Sequence, residues 1–217
     1  MRIGVFDSGV GGKSVADAIH KAMPNAEVIF VYDHVNFPYG SKTTEELISI
    51  VTPILQELAT KTDVIVVACN TVSTNLIEPL REAISVPLVA VEPMVKVAAE
   101  QTKTGVFAVC ATPRTLASVR YQWLKDTFAI GKTVVEPDCA DWSRMIEANS
   151  INEQKIKQQI DEVCRAGADV VVLGCTHYHW IEGLITKILD GRAVVLQPEK
   201  AIIRQLDRIA KEIEPIV

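Results

Sequence analysis

The chain contains the stretch Asp63-Val-Ile-Val-Val-Ala-Cys69-Asn-Thr71, and its second half repeats the same pattern as Asp169-Val-Val-Val-Leu-Gly-Cys175-Thr-His177. Each stretch has an acidic residue, a β-branched apolar run, and then a cysteine followed by hydrogen-bonding side chains. An apolar run of this length predicts a strand that is buried on both faces of a parallel sheet. Because ligands bind at the carboxyl ends of such strands, we expect both cysteines at a binding edge.

Apolar runs and segments of helical spacing alternate along the whole chain. The runs predict strands at 2–6, 27–32, 63–68, 87–91, 104–110, 169–173 and 193–196. The helical spacings predict helices near 13–23, 43–60, 72–84, 113–127, 139–148, 152–166, 176–189 and 198–213. This alternation is typical of an α/β fold with mainly parallel sheets.

The duplication extends further towards the start of each half. The segments Ile3-Gly4-Val5-Phe6 and Thr104-Gly105-Val106-Phe107 precede Cys69 and Cys175, respectively, by similar distances along the chain. We therefore predict two pseudo-symmetric α/β domains, a first formed by 1–95 plus 196–217 and a second formed by 96–195.

Composition limits the classes of protein to consider. The chain has 217 residues, 48% hydrophobic residues and a formal net charge of −5, which fits a globular protein with a substantial core. Its five cysteines are scattered and odd in number, so we expect reduced thiols. The sequence has no long basic run, no apolar stretch of membrane-spanning length and no signal-peptide pattern. We expect a cytoplasmic protein that binds neither nucleic acid nor membrane.

The first predicted strand ends in a glycine-rich turn, Asp7-Ser8-Gly-Val-Gly-Gly12. Glycines at a helix start let backbone N–H groups approach an anion, although a tight turn explains them equally well. The glycine spacing matches neither a dinucleotide fingerprint nor a P-loop. Asp7 is a candidate functional carboxylate at a strand end, with helix capping as the alternative.

Three further loops carry polar side chains. Cys69-Asn70-Thr71 places a thiol at a predicted helix start, where free N–H groups favour a thiolate, whereas an isolated buried cysteine is more often inert core. Pro38-Tyr39-Gly40 predicts an ordered turn that presents a phenol, with a plain surface turn as the alternative. Thr112 and Thr115 are explained by helix capping, which is compatible with a ligand role.

Cys175-Thr176-His177 is the most specific cluster, because His177 lies two residues from a strand-end thiol and exchanges protons near neutral pH. His179 extends the pattern and raises zinc binding as an alternative, but the spacing matches no familiar zinc site, so we predict no metal. Glu147 ends a short predicted helix, where a glutamate is usually exposed to solvent.

Together these motifs resemble the glutamate racemase family. The match consists, in chain order, of Asp7-Ser8-Gly-Val-Gly-Gly12, Pro38-Tyr39-Gly40, Cys69-Asn70-Thr71, Thr112-x-x-Thr115 and Gly174-Cys-Thr-His-Tyr178. The resemblance implies two pseudo-symmetric domains with the active site at their interface, no cofactor, and racemisation of an acidic amino acid by two cysteines.

The resemblance also assigns roles to individual residues. It implies that Cys69 and Cys175 are the acid/base thiols, that Asp7 assists the first and His177 the second, and that Glu147 is a further catalytic acid. The positions that match the family's substrate-binding residues are Ser8, Pro38, Tyr39, Gly40, Asn70, Thr71, Thr112, Thr115 and Thr176.

Several positions depart from the family's pattern. Lys13 replaces an apolar residue, Ala111 replaces a glycine, and His179-Trp180 stands where the family has a proline. The segment after Cys139 is Ala-Asp-Trp-Ser rather than a proline-flanked apolar run, and the chain is shorter than a typical member. These departures leave the acid/base residues intact, so they bear on substrate identity and oligomer contacts.

The sequence therefore predicts an isomerase that interconverts L- and D-glutamate, and the resemblance implies that D-glutamate serves peptidoglycan and the cell wall. An aspartate or broad-specificity amino acid racemase is the nearest alternative. A cysteine hydrolase that uses one thiol with His177, or a non-catalytic amino-acid-binding protein, is more distant. We expect glutamate or another acidic amino acid as the ligand and a homodimer as the assembly.

Overall fold

The computed structural model describes residues 1–213, which form two compact α/β units. The first unit comprises Met1–Val91 and the described residues from Pro198 onward. Its strands are β1 (Arg2–Asp7), β2 (Glu27–Tyr32), β3 (Val64–Val67) and β4 (Leu88–Ala90). Its helices are α1 (Lys13–Ala22), α2 (Thr44–Ala59), α3 (Asn70–Ala83) and α10 (Glu199–Ile213), with 3₁₀ turns at Val10–Gly12 and Tyr39–Ser41.

The second unit comprises Glu92–Gln197. Its strands are β5 (Val106–Ala111), β6 (Thr133–Val135), β7 (Val170–Gly174) and β8 (Val194–Leu196). Its helices are α4 (Val95–Gln101), α5 (Pro113–Leu116), α6 (Val119–Phe128), α7 (Trp142–Glu147), α8 (Glu153–Arg165) and α9 (Glu182–Leu189). A 3₁₀ helix at Thr176–Ile181 leads into α9.

The two sheets have the same topology. Their strand orders are β2-β1-β3-β4 and β6-β5-β7-β8, and every pairing in both sheets is parallel. The cysteine-bearing segments follow β3 and β7, which hold the same place in their sheets. The predicted α/β class with two pseudo-symmetric parallel units is confirmed.

The apolar runs form strands because each sheet is covered on both faces. In β3, Ile65 and Val67 pack against α2 and α3, whereas Val64 and Val66 pack against α1 and α10. Successive strand residues point to opposite faces, so a strand covered on both sides must be apolar at every position. In the second unit β7 divides in the same way between two hydrophobic clusters.

The acidic residue that starts each repeated stretch has a structural task. The carboxylate of Asp63 accepts a hydrogen bond from the backbone N–H of Arg2 at 2.7 Å, which ties the start of β3 to β1. The carboxylate of Asp169 accepts from the N–H of Lys103 at 2.7 Å and of Thr104 at 3.0 Å, just before β5. These acids secure strand starts, which lie at the end of each sheet away from the thiols.

Some elements differ from those that the sequence predicts. The short edge strand β6 and the helix α4 were not predicted. The predicted helix 113–127 is two helices, because the Ser118 hydroxyl accepts a hydrogen bond from the Tyr121 N–H at 3.2 Å and starts α6 anew. The predicted helix 176–189 begins as a 3₁₀ helix and becomes α-helical only at Glu182.

Candidate active site

Asp7 ends β1 and is fully buried beside the glycine-rich turn. Its carboxylate accepts a hydrogen bond from the backbone N–H of Gly12 at 2.6 Å. A β-carbon on Gly12 would lie only 2.5 Å from the β-carbon of Asp7 and 3.0 Å from the ring of Phe30, so a larger residue does not fit without movement. The turn therefore directs at least one N–H group to the protein's own carboxylate.

We predict that Gly12→Ala displaces Asp7 and destabilises the fold. Forcing a methyl group into this contact is expected to cost about 1–3 kcal/mol of the free energy of unfolding. Urea unfolding followed by circular dichroism measures the change. Gly183→Ala is the matched control, because Gly183 lies in α9 with open space around it and alanine is the better helix former. Equal stability of the two variants would contradict the prediction.

Cys69 is the N-cap of α3 and is buried. Its Sγ lies 3.4 Å from the hydroxyl Oγ of Ser8. Burial raises the pKa of Cys69 to about 12, the charge of Asp7 adds to that rise, and hydrogen bonds from Ser8 and from the backbone N–H groups of Thr71 and Val72 only partly oppose it. The expectation that the helix start would produce a lowered pKa is wrong for the free protein, because desolvation and a nearby carboxylate outweigh the N–H groups.

This raised pKa predicts an unusual pH dependence for alkylation of Cys69. Because only the thiolate reacts, iodoacetamide labelling of Cys69 in the folded protein should still be rising above about pH 9, where an ordinary thiol with a pKa of about 8.5 has nearly reached its maximum. Peptide mass spectrometry measures the rate at each pH, and the urea-unfolded chain is the control. A labelling rate that levels off at the same pH in both states would contradict the raised pKa.

Tyr39 lies in the same hydrophobic cluster as Cys69. Its hydroxyl donates a hydrogen bond to the carboxylate of Asp33 at 2.8 Å, and Asn36 donates a second at 2.8 Å. Burial raises the pKa of Tyr39, and the hydrogen bond to Asp33 raises it further. Burial alone would raise the pKa of Asp33, but the hydrogen bonds outweigh it and hold that pKa low. No motif in the sequence pointed to Asp33, although Asp33 directly follows β2, much as Asp7 ends β1.

Asn70 begins α3 directly after Cys69. Its side chain is buried, and neither the amide nitrogen nor the amide oxygen has a hydrogen-bond partner among the described residues. A buried amide without partners is costly, and such groups are rare in folded proteins. A ligand with both donor and acceptor groups would satisfy it. We call Asp7, Ser8, Tyr39, Cys69 and Asn70 the Cys69 cluster.

The second thiol lies beside a histidine and a glutamate. The Sγ of Cys175 is 4.0 Å from Nδ1 of His177, and Nε2 of His177 is 2.9 Å from the carboxylate of Glu147. His177 is only 2% exposed, whereas the Glu147 side chain is 23% exposed rather than fully solvated. A carboxylate only accepts hydrogen bonds, so Nε2 carries a proton and Nδ1 of the neutral ring can accept one from the thiol. We call these three residues the Cys175 cluster.

The remaining predicted substrate-binding residues lie near these clusters in the chain. In the second unit, the Thr112 hydroxyl accepts the Thr115 N–H at 3.2 Å and so caps α5, and Thr176 is buried directly after Cys175. In the first unit, Thr71 is buried in the first turn of α3, and Pro38 and Gly40 flank Tyr39 with partial burial. These positions place hydroxyl and backbone groups at the carboxyl ends of β3, β5 and β7.

Across residues 1–213, no group of three or more His, Cys, Asp or Glu side chains is arranged to hold a metal ion. Within the same range, every helix is too short or too polar to cross a membrane.

Comparison with known proteins gives consistent matches over most of the chain. A family model described as Asp/Glu/hydantoin racemase matches residues 12–206. The glutamate racemase of Herpetosiphon aurantiacus is 37% identical over 214 residues, which is 95% of this chain and 84% of that protein.

Solved structures agree with the sequence matches. Escherichia coli glutamate racemase, in complex with L-glutamate and the activator UDP-MurNAc-Ala, superposes with a TM-score of 0.87 at 30% identity, covering 97% of this chain and 82% of that one. The Francisella tularensis glutamate racemase, in complex with D-glutamate, gives a TM-score of 0.81 at 26% identity over 97% and 81% of the two chains.

Proposed function

This chain belongs to the Asp/Glu/hydantoin racemase family, and from that premise we propose that it racemises glutamate by moving the Cα proton between two thiols, without a cofactor. The resemblance to glutamate racemases that the motifs indicated is confirmed, and the relatives so named are isomerases. One observation carries the two-thiol proposal. Each unit has a buried thiol after the equivalent strand of its sheet, and each thiol lies near a titratable partner.

The proposed reaction begins when one thiolate removes the proton from one face of Cα. The resulting carbanion spreads its charge onto the α-carboxylate, where N–H and hydroxyl donors stabilise it. The other thiol then delivers a proton to the opposite face, which inverts the stereocentre. Asn70, Thr71 and Thr176 are the proposed donors and acceptors for the substrate's amino and carboxylate groups, with Ser8, Pro38, Tyr39, Gly40, Thr112 and Thr115.

The two thiols start from different states in this proposal. Cys69 is held protonated by its raised pKa, to which the charge of Asp7 contributes, so it is ready to deliver a proton. In the reverse direction, Asp7 is the proposed acceptor of the proton that Cys69 loses. Cys175 has a base beside it, because Nδ1 of His177 faces its sulfur while Glu147 holds the other ring nitrogen. Each thiol must serve as acid in one direction and as base in the other.

The test is incubation of the protein with L- or D-glutamate in deuterated water. We expect the circular dichroism signal to decay to zero from either side, with deuterium appearing at Cα. A parallel panel containing aspartate and neutral amino acids decides between a glutamate racemase and the broader alternatives. Binding of glutamate without deuterium uptake would refute catalysis, and a covalent acyl group on one cysteine would indicate a hydrolase instead.

A further inference from the structure

The carboxylate that holds His177 is carried by an unusually short element. Helix α7 runs only from Trp142 to Glu147, and Glu147 is its last residue. A helix of six residues is far below the length that is stable by itself in water, so tertiary contacts must hold it in place. The position of the Glu147 carboxylate, 2.9 Å from His177 Nε2, therefore depends on whatever fixes the other end of α7.

That end is fixed by the side-chain amide of Gln159. Its Oε1 accepts a hydrogen bond from Nε1–H of Trp142 at 2.7 Å, and its Nε2 donates to the backbone carbonyl of Asp138. One amide thus joins the first residue of α7 to the loop that precedes it. Gln159 is only 8% exposed and Trp142 is fully buried, so water does not readily replace these bonds.

A second contact connects the same loop to the histidine. The hydroxyl of Tyr178, the residue after His177, donates to the carbonyl of Cys139 at 2.8 Å. The rings of Trp142 and Tyr178 also pack edge to face, with centroids 5.0 Å apart. The loop before α7 is therefore held between α8, through Gln159, and the 3₁₀ helix that carries His177.

We propose that Gln159 is a positioning residue that acts through α7 to keep the Glu147 carboxylate on His177, and so prepares the Cys175 cluster for proton transfer. This inference rests on the proposed function for its catalytic consequence, but not for the contact itself. The hydrogen bonds of Gln159 to Trp142 and to the carbonyl of Asp138 involve no member of either thiol cluster. Gln159 would act because a shift of about 1 Å in a catalytic group is enough to cost up to about 100-fold in rate.

The first test is a double-mutant cycle between Gln159→Leu and Glu147→Gln. We expect Gln159→Leu to lower kcat/KM for glutamate by about 10- to 100-fold, and to have little further effect in the Glu147→Gln protein, because the carboxylate that Gln159 would position is already gone there. Gln158→Leu is the control, since Gln158 is on the same helix but exposed, and its amide donates a hydrogen bond to Glu162 at 3.4 Å. Equal losses in both backgrounds would overturn the inference.

A second variant guards against simple unfolding. Leucine at 159 leaves the buried Trp142 N–H without its partner, whereas Trp142→Phe combined with Gln159→Leu removes donor and acceptor together and should fold. The double variant is expected to show the same loss of kcat/KM. Wild-type activity in the properly folded double variant would refute the positioning role.

The final test needs no catalysis. The Nε2–H proton of His177, assigned by its disappearance in His177→Asn, should give a slowly exchanging NMR signal because Glu147 accepts it. We expect this signal to broaden or vanish in Gln159→Leu and to persist in Gln158→Leu. An unchanged signal in Gln159→Leu would overturn the inference even if racemisation is confirmed. If the wild-type protein racemises no amino acid, the proposed function fails and this measurement still decides the contact.

Discussion

Cys69→Ser and Cys175→Ser should each lose about 10²- to 10⁴-fold in kcat/KM for glutamate, the range that general acid–base groups contribute. A serine hydroxyl stays protonated at every pH at which the protein is folded, so it cannot take the Cα proton as a thiolate does. Polarimetry or circular dichroism measures the rate from either enantiomer. Cys164→Ser is the matched control, because Cys164 is partly exposed and outside both clusters.

An isotope measurement then separates the two thiols. The enantiomers have equal free energies, so kcat/KM stays equal in the two directions whatever residue is mutated. A difference between the two thiols must therefore be measured by isotope effects rather than by kcat/KM. Slowing one thiol makes its own transfer rate-limiting. Each serine variant should therefore show a larger primary deuterium isotope effect on kcat/KM with one α-deuterated enantiomer than with the other. The enantiomer that gives the larger isotope effect should differ between the two variants. The two-thiol mechanism would be refuted if the same enantiomer gave the larger isotope effect in both serine variants, or if their rates were undiminished.

His177→Asn is expected to lower kcat/KM by about 100-fold. Asparagine can hydrogen bond to Glu147, but it has no ring nitrogen to accept the proton of Cys175. Rates for both enantiomers across the pH range measure the loss. His20→Asn is the control, since His20 is exposed on α1.

The isotope pattern of His177→Asn provides a second, independent criterion. If His177 assists proton transfer by Cys175, this variant must show its larger isotope effect with the same deuterated enantiomer as Cys175→Ser, because both changes slow the same proton transfer. A preference shared with Cys69→Ser would assign His177 to the other thiol. Equal isotope effects with both enantiomers would mean that His177 acts on substrate binding rather than on proton transfer.

Much of the fold was predictable because its signals are local. Uninterrupted β-branched runs are typical of strands in a sheet that is covered on both faces. The runs at 63–68 and 169–173 therefore predicted buried parallel strands without knowledge of any contact. The strand β6 was missed because three residues at a sheet edge are too few to show a recognisable hydrophobic periodicity. The break at Ser118 was missed because a capping serine looks like any other polar residue on a predicted helix.

The sequence proposed candidate residues for the site, but it did not reveal their electrostatics. A helix start beside Cys69 indicated a thiolate, yet burial and Asp7 raise its pKa to about 12. Both burial and the charge of Asp7 act through space, and neither can be inferred from the residues next to Cys69 in the sequence. Asp33 and Gln159 were missed for a related reason, because their partners lie 6 to 21 residues away and only folding brings them into hydrogen-bond distance.

The order of residues along the chain determined the α/β class, the duplication, and the two strand ends that carry Cys69 and Cys175, since backbone periodicity follows from sequence alone. Only the tertiary structure decided which groups surround each sulfur: the Ser8 hydroxyl and the Asp7 charge for one, and a histidine held by Glu147 for the other. The physical reason is that pKa values depend on solvent exclusion and on charges a few ångströms away, which are properties of packing.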